Sequence, residues 1–343
     1  LIKNQPALEE WREVYRFAIQ VKKIAPWEWI TEADIFGVQN PETDEIGFVS
    51  VMGMAGKHYA LAVYMGPEGL YGFLDLQNVD PIEIPELVLE IPQLQASFEN
   101  RDVLNKKDHE IIKKLGLKFR GPHAWPMFRS YHPGFFPWFL EADEARFIMY
   151  VLEQTLDVAS RYKEDQSLLE YSDEERFLVR VPHKEDGTLV WEDRIMRVPP
   201  PESPHIPIAM NDQEIKTLKS LPQGIHTIEI DFFMFPAKIG EKGTRPFYSY
   251  MLLSVDARSY LVLGSELMTV DPSLEAMWGS IPMKVVHQLL KAGMLPREIR
   301  VRSELLLQLL QPLAGQLRFN LKLSRNLRSL DSAKESLFQY FGR

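Results

Sequence analysis

Residues 224–235 read GIHTIEIDFFMF. Ile228, Ile230, Phe232 and Met234 alternate with Thr227, Glu229, Asp231 and Phe233, which is the two-residue period of a β-strand. The alternation sets the carboxylates of Glu229 and Asp231 side by side on one face. The elements after this strand decide the fold of the C-terminal half. Two more strand-like runs come next, at 246–255 and 259–268. The Gly/Lys loop KIGEKGTRP joins the first pair, and the tight turn DARS joins the second. LEAMWGSIPMKVVHQLLKAG then reads as one helix, or as two short helices broken near Pro282. REIRVRS is a strand, LLLQLLQPLAG a helix, RFNLKLS a strand, and LRSLDSAKESLFQYF a closing helix.

Upstream, NDQEIKTLKSL reads as a short helix, and PPPESPHIP at 199–207 is stiff, extended and poor in backbone donors. The latter is expected to link two domains. Before it, FLVRV and TLVWEDRIMRV flank the Asp-Gly of HKEDG, a hairpin signal. The charged stretch KEDQSLLEYSDEER at 163–176 marks a change of pattern. The expected division is an N-terminal α+β domain over 1–165, a hairpin and proline-rich linker over 166–207, and a C-terminal domain over 208–343.

The N-terminal part opens on an amphipathic helix over 7–24, with Leu8, Trp11, Val14, Ala18 and Val21 at helical spacing and Pro26 as its stop. DIFGVQNPETDEIGFVSVMG holds two strands around a turn-rich NPETDE, and KHYALAVYMG a third. PEGLYGFLDLQ reads as a short helix with Pro67 near its start, ELVLEI and QLQASFE as strands. NKKDHEIIKKLG is a helix capped by Asn105 and stopped by Gly116, and 141–162 is a second strong helix.

The totals narrow the function classes. The chain has 343 residues, 45% hydrophobic and 25% charged, with a net charge of −9 and no cysteine. Disulfides, thiolate zinc sites and thiol nucleophiles are thereby excluded together. The acidic balance argues against bulk, non-specific nucleic-acid binding, though a local basic patch is compatible with it. No apolar run approaches the roughly 20 residues of a membrane span. The opening LIKNQPALEEW has no signal-peptide pattern, so the cytoplasm is the expected compartment.

Three consecutive strands followed by helix–strand–helix–strand–helix resemble an RNase H-like domain over about residues 224–340. VDARSYLVLG, a helix and then LPREIRV resemble the layout of integrase and transposase cores. The expected fold is therefore α+β with two domains, the second holding a mixed five-stranded sheet flanked by helices. The resemblance implies a carboxylate in the first strand that helps bind two Mg²⁺ or Mn²⁺ ions, which activate a water and stabilise a leaving oxygen. Asp231, with Glu229, stands in that place. The next ligand is expected just after the fourth strand, where this chain reads Val301-Arg302-Ser303-Glu304. Only Glu304 is available there, and Arg302 beside it opposes a cation. The closing helix offers Asp331 and Glu335. The expected scaffold is accordingly degenerate. The whole chain also resembles an uncharacterised bacterial two-domain family through PWEW, FGVQNPET, GFVSVMG and GPEGL. That likeness implies no activity.

A second constellation is LKFRGPHAWPMFRSYHPGFFPWF, residues 117–139. Lys118, Arg120, His123, Trp125, Arg129, Tyr131, His132 and Trp138 combine cations with rings that stack on a ligand, and the prolines and glycines point to a shaped loop. The competing reading makes these rings a plug between neighbouring helices. His58, His123 and His132 lack zinc-ligand spacing, VMGMAGKH lacks the phosphate-loop spacing, and GxSxG is absent. PWEWI at 26–30 and the turn-forming Asp256 read as packing and turn chemistry. From 297 onward Arg297, Arg300, Arg302, Arg318, Lys322, Arg325, Arg328, Lys334 and Arg343 outnumber Glu298, Glu304, Asp331 and Glu335. This basic lobe is a candidate surface for nucleic acid or an acidic partner. The expected function is a non-enzymatic interaction or regulatory protein, without cofactor, that binds a protein or small ligand through the aromatic segment. The alternative is a metal-dependent nuclease or transposase relative using Asp231, Glu229, Glu304 and Asp331.

Overall fold

The helix signal of the opening residues is realised as α1, Leu8–Ile24. Its stripe of Trp11, Val14, Tyr15, Ala18 and Val21 is buried, and it ends where Ala25 takes a left-handed conformation before Pro26. The structure is a computed structural model that describes residues 4–76, 87–171, 175–202, 206–241 and 243–341. By contacts the chain divides into two compact units, Leu1–Glu202 with Glu241–Arg245, and Ser203–Gly240 with Pro246–Arg343.

The first unit is built on a seven-stranded sheet. After α1 come β1 (Phe36–Gln39), β2 (Ile46–Met52) and β3 (Tyr59–Met65), then α2 (Gly66–Asp75), with Pro67 in its first turn. β4 (Gln93–Glu99), α3 (Lys106–Lys114), β5 (Trp125–Tyr131) and α4 (Ala142–Glu164) follow. The hairpin β6 (Arg176–Glu185) and β7 (Thr188–Arg197) completes it. Its turn residues Asp186 and Gly187 both have positive φ, as a two-residue hairpin turn requires. The order is β5-β4-β3-β2-β1-β6-β7. Neighbours are antiparallel except β1 and β6, which run parallel.

Residues of α1 and α4, among them Tyr15, Phe147, Ile148 and Leu152, form one core with Val49, Val51, Leu61 and Val63 of the sheet. Phe48, Tyr64, Leu70 and Phe177 form a second core that includes α2. Each such side chain, fully buried, contributes about 1.5–3 kcal/mol. Gly47 belongs to this packing. A Cβ there would lie 2.6 Å from Val63 and 2.9 Å from the Phe147 ring, so the side-chain-free position lets α4 sit down on β2.

Two sequence expectations change here. Residues 117–139 do not form one long loop, because 125–131 is a strand paired along its length with β4. Pro126, Phe128 and Ser130 are buried and alternate with more exposed neighbours, and β5 is an edge strand, where proline is tolerated. Residues 87–91 hold a helical turn and bend, with no strand. The hairpin at the start of the 166–207 segment joins the first sheet: Val179 of β6 pairs with Gly37 of β1, and Leu178 is buried in the first core. Residues 203–205 of the proline run lie outside the described residues.

The second unit starts with α5, Asp212–Lys219, capped by the Asn211 side chain. β8 (Thr227–Ile239), β9 (Phe247–Asp256) and β10 (Val262–Thr269) form the antiparallel meander that the strand alternation at 224–235 leads into. Then come α6 (Leu274–Ala292), β11 (Glu298–Val301), α7 (Glu304–Leu317), β12 (Asn320–Leu323) and α8 (Arg328–Phe341). The helix around Pro282 is continuous, with the proline inside it. Strand order is β10-β9-β8-β11-β12, and β8, β11 and β12 are parallel. One face carries Ile228, Ile230, Ile299 and Val301, all fully buried. The other carries Glu229, Asp231, Phe233 and Phe235, covered by Leu330 of α8 and by Leu327 just before it. The chain is thus α+β, with two mixed sheets and, among the described residues, eight α-helices.

Candidate functional site

The β8 alternation brings Glu229 and Asp231 to the face under α8, and both are 4% exposed. Their partners are residues of the protein itself. One Glu229 oxygen accepts from Ser329 Oγ at 2.7 Å and from the Leu330 amide at 3.0 Å. One Asp231 oxygen accepts from the Phe232 amide at 2.9 Å, the other from Arg302 Nε at 3.1 Å. Arg302 also binds Asp331 through a terminal nitrogen and donates to the Arg325 carbonyl at 3.2 Å. Its guanidinium therefore stands between Asp231 and Asp331, the position a divalent cation takes in a two-metal site. Glu304 has no place in this group; it is exposed in the first turn of α7. Burial pushes the Asp231 carboxyl above its ordinary value, which Arg302 and Lys334 offset only in part. Among the described residues no three His, Asp or Glu side chains gather as a metal site.

The aromatic segment is divided in two by β5. Alternation aims Arg129 at α3, where it makes a bidentate pair with Asp108 at 2.9 and 2.6 Å and lies 5.0 Å from the Phe139 ring centre. Tyr131 donates from its hydroxyl to Gln95 Oε1 at 2.9 Å. His132 Nε2 lies 3.1 Å from Glu144 Oε1, which also accepts from Ser130 Oγ at 2.6 Å. Burial alone would raise the Glu144 carboxyl. Hydrogen bonds from His132, Ser130 and the Glu141 amide instead hold it below its ordinary value. Trp138 exchanges two backbone hydrogen bonds with Ser130. This half of the segment is internal structure.

The other half faces outward. Lys118 and Arg120 are exposed, with no ion pair among the described residues. Half-buried Trp125 has the Arg101 guanidinium 5.9 Å from its ring centre and the His109 ring edge-on at 5.7 Å. His123 packs edge-on to Tyr59 at 5.1 Å, and its amide donates to Asn100 Oδ1 at 3.0 Å. Lys118, Arg120, His123 and Trp125 thus lie at one end of the segment, away from Arg129, Tyr131, His132 and Trp138.

The basic lobe is also sorted. Arg300 and Lys322 both reach Glu298 at 2.7 Å, and Lys334 lies 4.0 Å from the Phe233 ring centre. Arg297, Arg318, Arg325 and Arg328 are exposed with no ion pair among the described residues, and Arg343 lies outside them. Sequence reading missed Asp108 and Glu144, the partners of two expected ligand-binding residues. It also missed His226, whose Nδ1 lies 2.8 Å from Asp256 Oδ2. The one local signal for that pair is the turn sequence VDARS, and the β8–β9 register is needed to bring it to His226.

The fold and these clusters define a two-domain α+β protein with ordered polar networks in each unit. Residues 11–180 match the family model described as "Domain of unknown function (DUF7309)", and residues 214–338 the one described as "Domain of unknown function (DUF6930)". The two matches together cover most of the chain, which is consistent with an uncharacterised two-domain family. No curated protein matches it. No helix among the described residues is long and apolar enough to cross a membrane.

Proposed function

We propose that the chain is a non-enzymatic binding protein whose first unit receives an acidic, ring-bearing protein segment on Lys118, Arg120, His123 and Trp125. The observation that carries this reading is the division of the aromatic segment. Arg129, Tyr131 and His132 are engaged internally, whereas Lys118 and Arg120 are exposed on either side of Phe119, whose ring packs 5.8 Å from the Trp125 ring that Arg101 and His109 also approach. Exposed cations around a ring favour carboxylate and aromatic groups together. The order and directions of the second sheet support an RNase H-like reading of that unit. The ion pairs of Arg302 with Asp231 and Asp331 weigh against two-cation chemistry there, and so against the nuclease alternative. The cysteine-free composition is in keeping with a cytoplasmic protein, and the sequence resemblance with a bacterial one.

Selection from a displayed random peptide library tests this. The expected winners contain Asp or Glu next to Tyr, Phe or Trp. They lose at least about tenfold in affinity, near 1.4 kcal/mol, against the K118E/R120E double variant and against W125A. Winners without acidic residues, or binding indifferent to both variants, would sink the proposal.

A further inference from the structure

The second unit holds a cavity of about 350 Å³ lined by Ile225, His226, Thr227, Ala257, Arg258 and Arg300. We infer that this cavity is a binding site for a small organic phosphate. The proposal concerns the second unit alone and is independent of the peptide reading of the first.

The site is organised by one carboxylate. Asp256 is 3% exposed. Its Oδ1 accepts from the Arg258 amide at 3.1 Å, the Ser259 amide at 2.7 Å and Ser259 Oγ at 2.8 Å, which fixes the turn that carries Arg258. Its Oδ2 takes Nδ1 of His226, so the imidazole is oriented and Nε2 is left for a ligand. Turn, guanidinium and imidazole are thereby arranged in advance, which reduces the ordering cost of binding.

The charge around the cavity is positive. Arg258 is exposed and has no ion pair among the described residues. Arg300 bonds to Glu298 through Nε, but Glu298 is also bound by Lys322 at 2.7 Å and by the Asn320 amide group at 3.0 Å. Two cations thus surround a single carboxylate, and the sheet surface keeps a cationic excess beside Arg258. Two guanidinium groups and an imidazole match the several oxygens of a phosphate better than a single carboxylate would. The remaining wall is apolar. Ile225 is 71% exposed, and with Ala257 it offers a surface for the organic part of the ligand. The volume lies at the small end of the range typical of ligand pockets, about 300–1,000 Å³.

Calorimetric titration of the full chain with phenyl phosphate, inorganic phosphate and phenol tests the inference. Phenyl phosphate is expected to bind, phenol to show no binding, and inorganic phosphate to bind about tenfold more weakly because it misses the apolar wall. R258A and R300A are each expected to weaken phenyl phosphate at least about tenfold. The melting temperature stays within about a degree or two for R258A, whose side chain is exposed, and circular dichroism confirms the fold of R300A, which removes one of the three partners of buried Glu298. D256A, which removes the acceptors of both the turn and His226, is expected to weaken binding further, with a loss of protection at 256–260 in hydrogen exchange. Absence of phenyl phosphate binding overturns the proposal. So does binding that both arginine variants leave unchanged, or equal affinity for inorganic phosphate, which would mark a site for the free anion.

Discussion

Each unit holds an arginine on a buried carboxylate, and the two arrangements differ. Arg129 meets Asp108 with both arms, and the side chains are 12% and 7% exposed. The pair is balanced, one charge against one. Arg302 instead divides itself between Asp231 on β8 and Asp331 on α8, and is 30% exposed. That cluster carries one more negative charge than Arg302 supplies, with Lys334 as the additional cation felt by Asp231. A balanced pair has no cheap way to lose its partner. The divided one has protonation as an outlet, because burial already raises the Asp231 carboxyl and Arg302 and Lys334 offset that only in part.

The largest expected effect is at the balanced pair. R129M leaves Asp108 buried without its cation and should destabilise the first unit by about 3–5 kcal/mol. Hydrogen exchange of β4 and β5, followed by mass spectrometry, reads the loss locally. A change under about 1 kcal/mol would show that water reaches Asp108 and that the comparison fails.

R302Q comes next, at about 2 kcal/mol near neutral pH, with the loss read on β8 and α8. The Asp231 carboxyl then takes up a proton more readily, so the loss shrinks as pH falls through its raised range. In the unchanged protein this group binds its proton more tightly when folded. Its contribution is therefore present at low pH and declines as pH rises through the folded value. A loss for R302Q that does not depend on pH would refute the outlet.

Glu144 sharpens the contrast from the opposite side. Its carboxyl is held below the ordinary value, so its stabilisation is present above the unfolded value and fades as pH falls through the folded one. E144Q should cost about 1 kcal/mol at neutral pH and nothing once the wild-type carboxyl is protonated. Urea titrations at several pH values would reveal the convergence, and parallel curves would exclude it.

How much of the fold and the candidate sites is legible in sequence depends on the range of the contacts. The Asn105 cap and the Asp-Gly turn of the β6–β7 hairpin are set within a few residues, and both read correctly. Arg302 reads as an obstacle to a cation from its position after β11, and the β8–β11 register does place it beside Asp231. The strand at 125–131 is concealed by its flanking prolines, which signal a loop until β4 supplies the partner. Arg129 resembles a ligand group in sequence because Asp108 lies 21 residues away on another element. His226 and Asp256, 30 residues apart, meet through an antiparallel register that no local pattern contains.

The missing side chain at Gly47 reaches further than its own strand. The Phe147 ring seated above it is rigid, and three residues earlier the same helix carries Glu144, the anchor of His132 and Ser130. A single methyl at position 47 would lift that helix like a pebble under a table leg. The tilt would be felt at the far end of the sheet as a loosened grip on β5, and residues that never approach position 47 would lose their alignment.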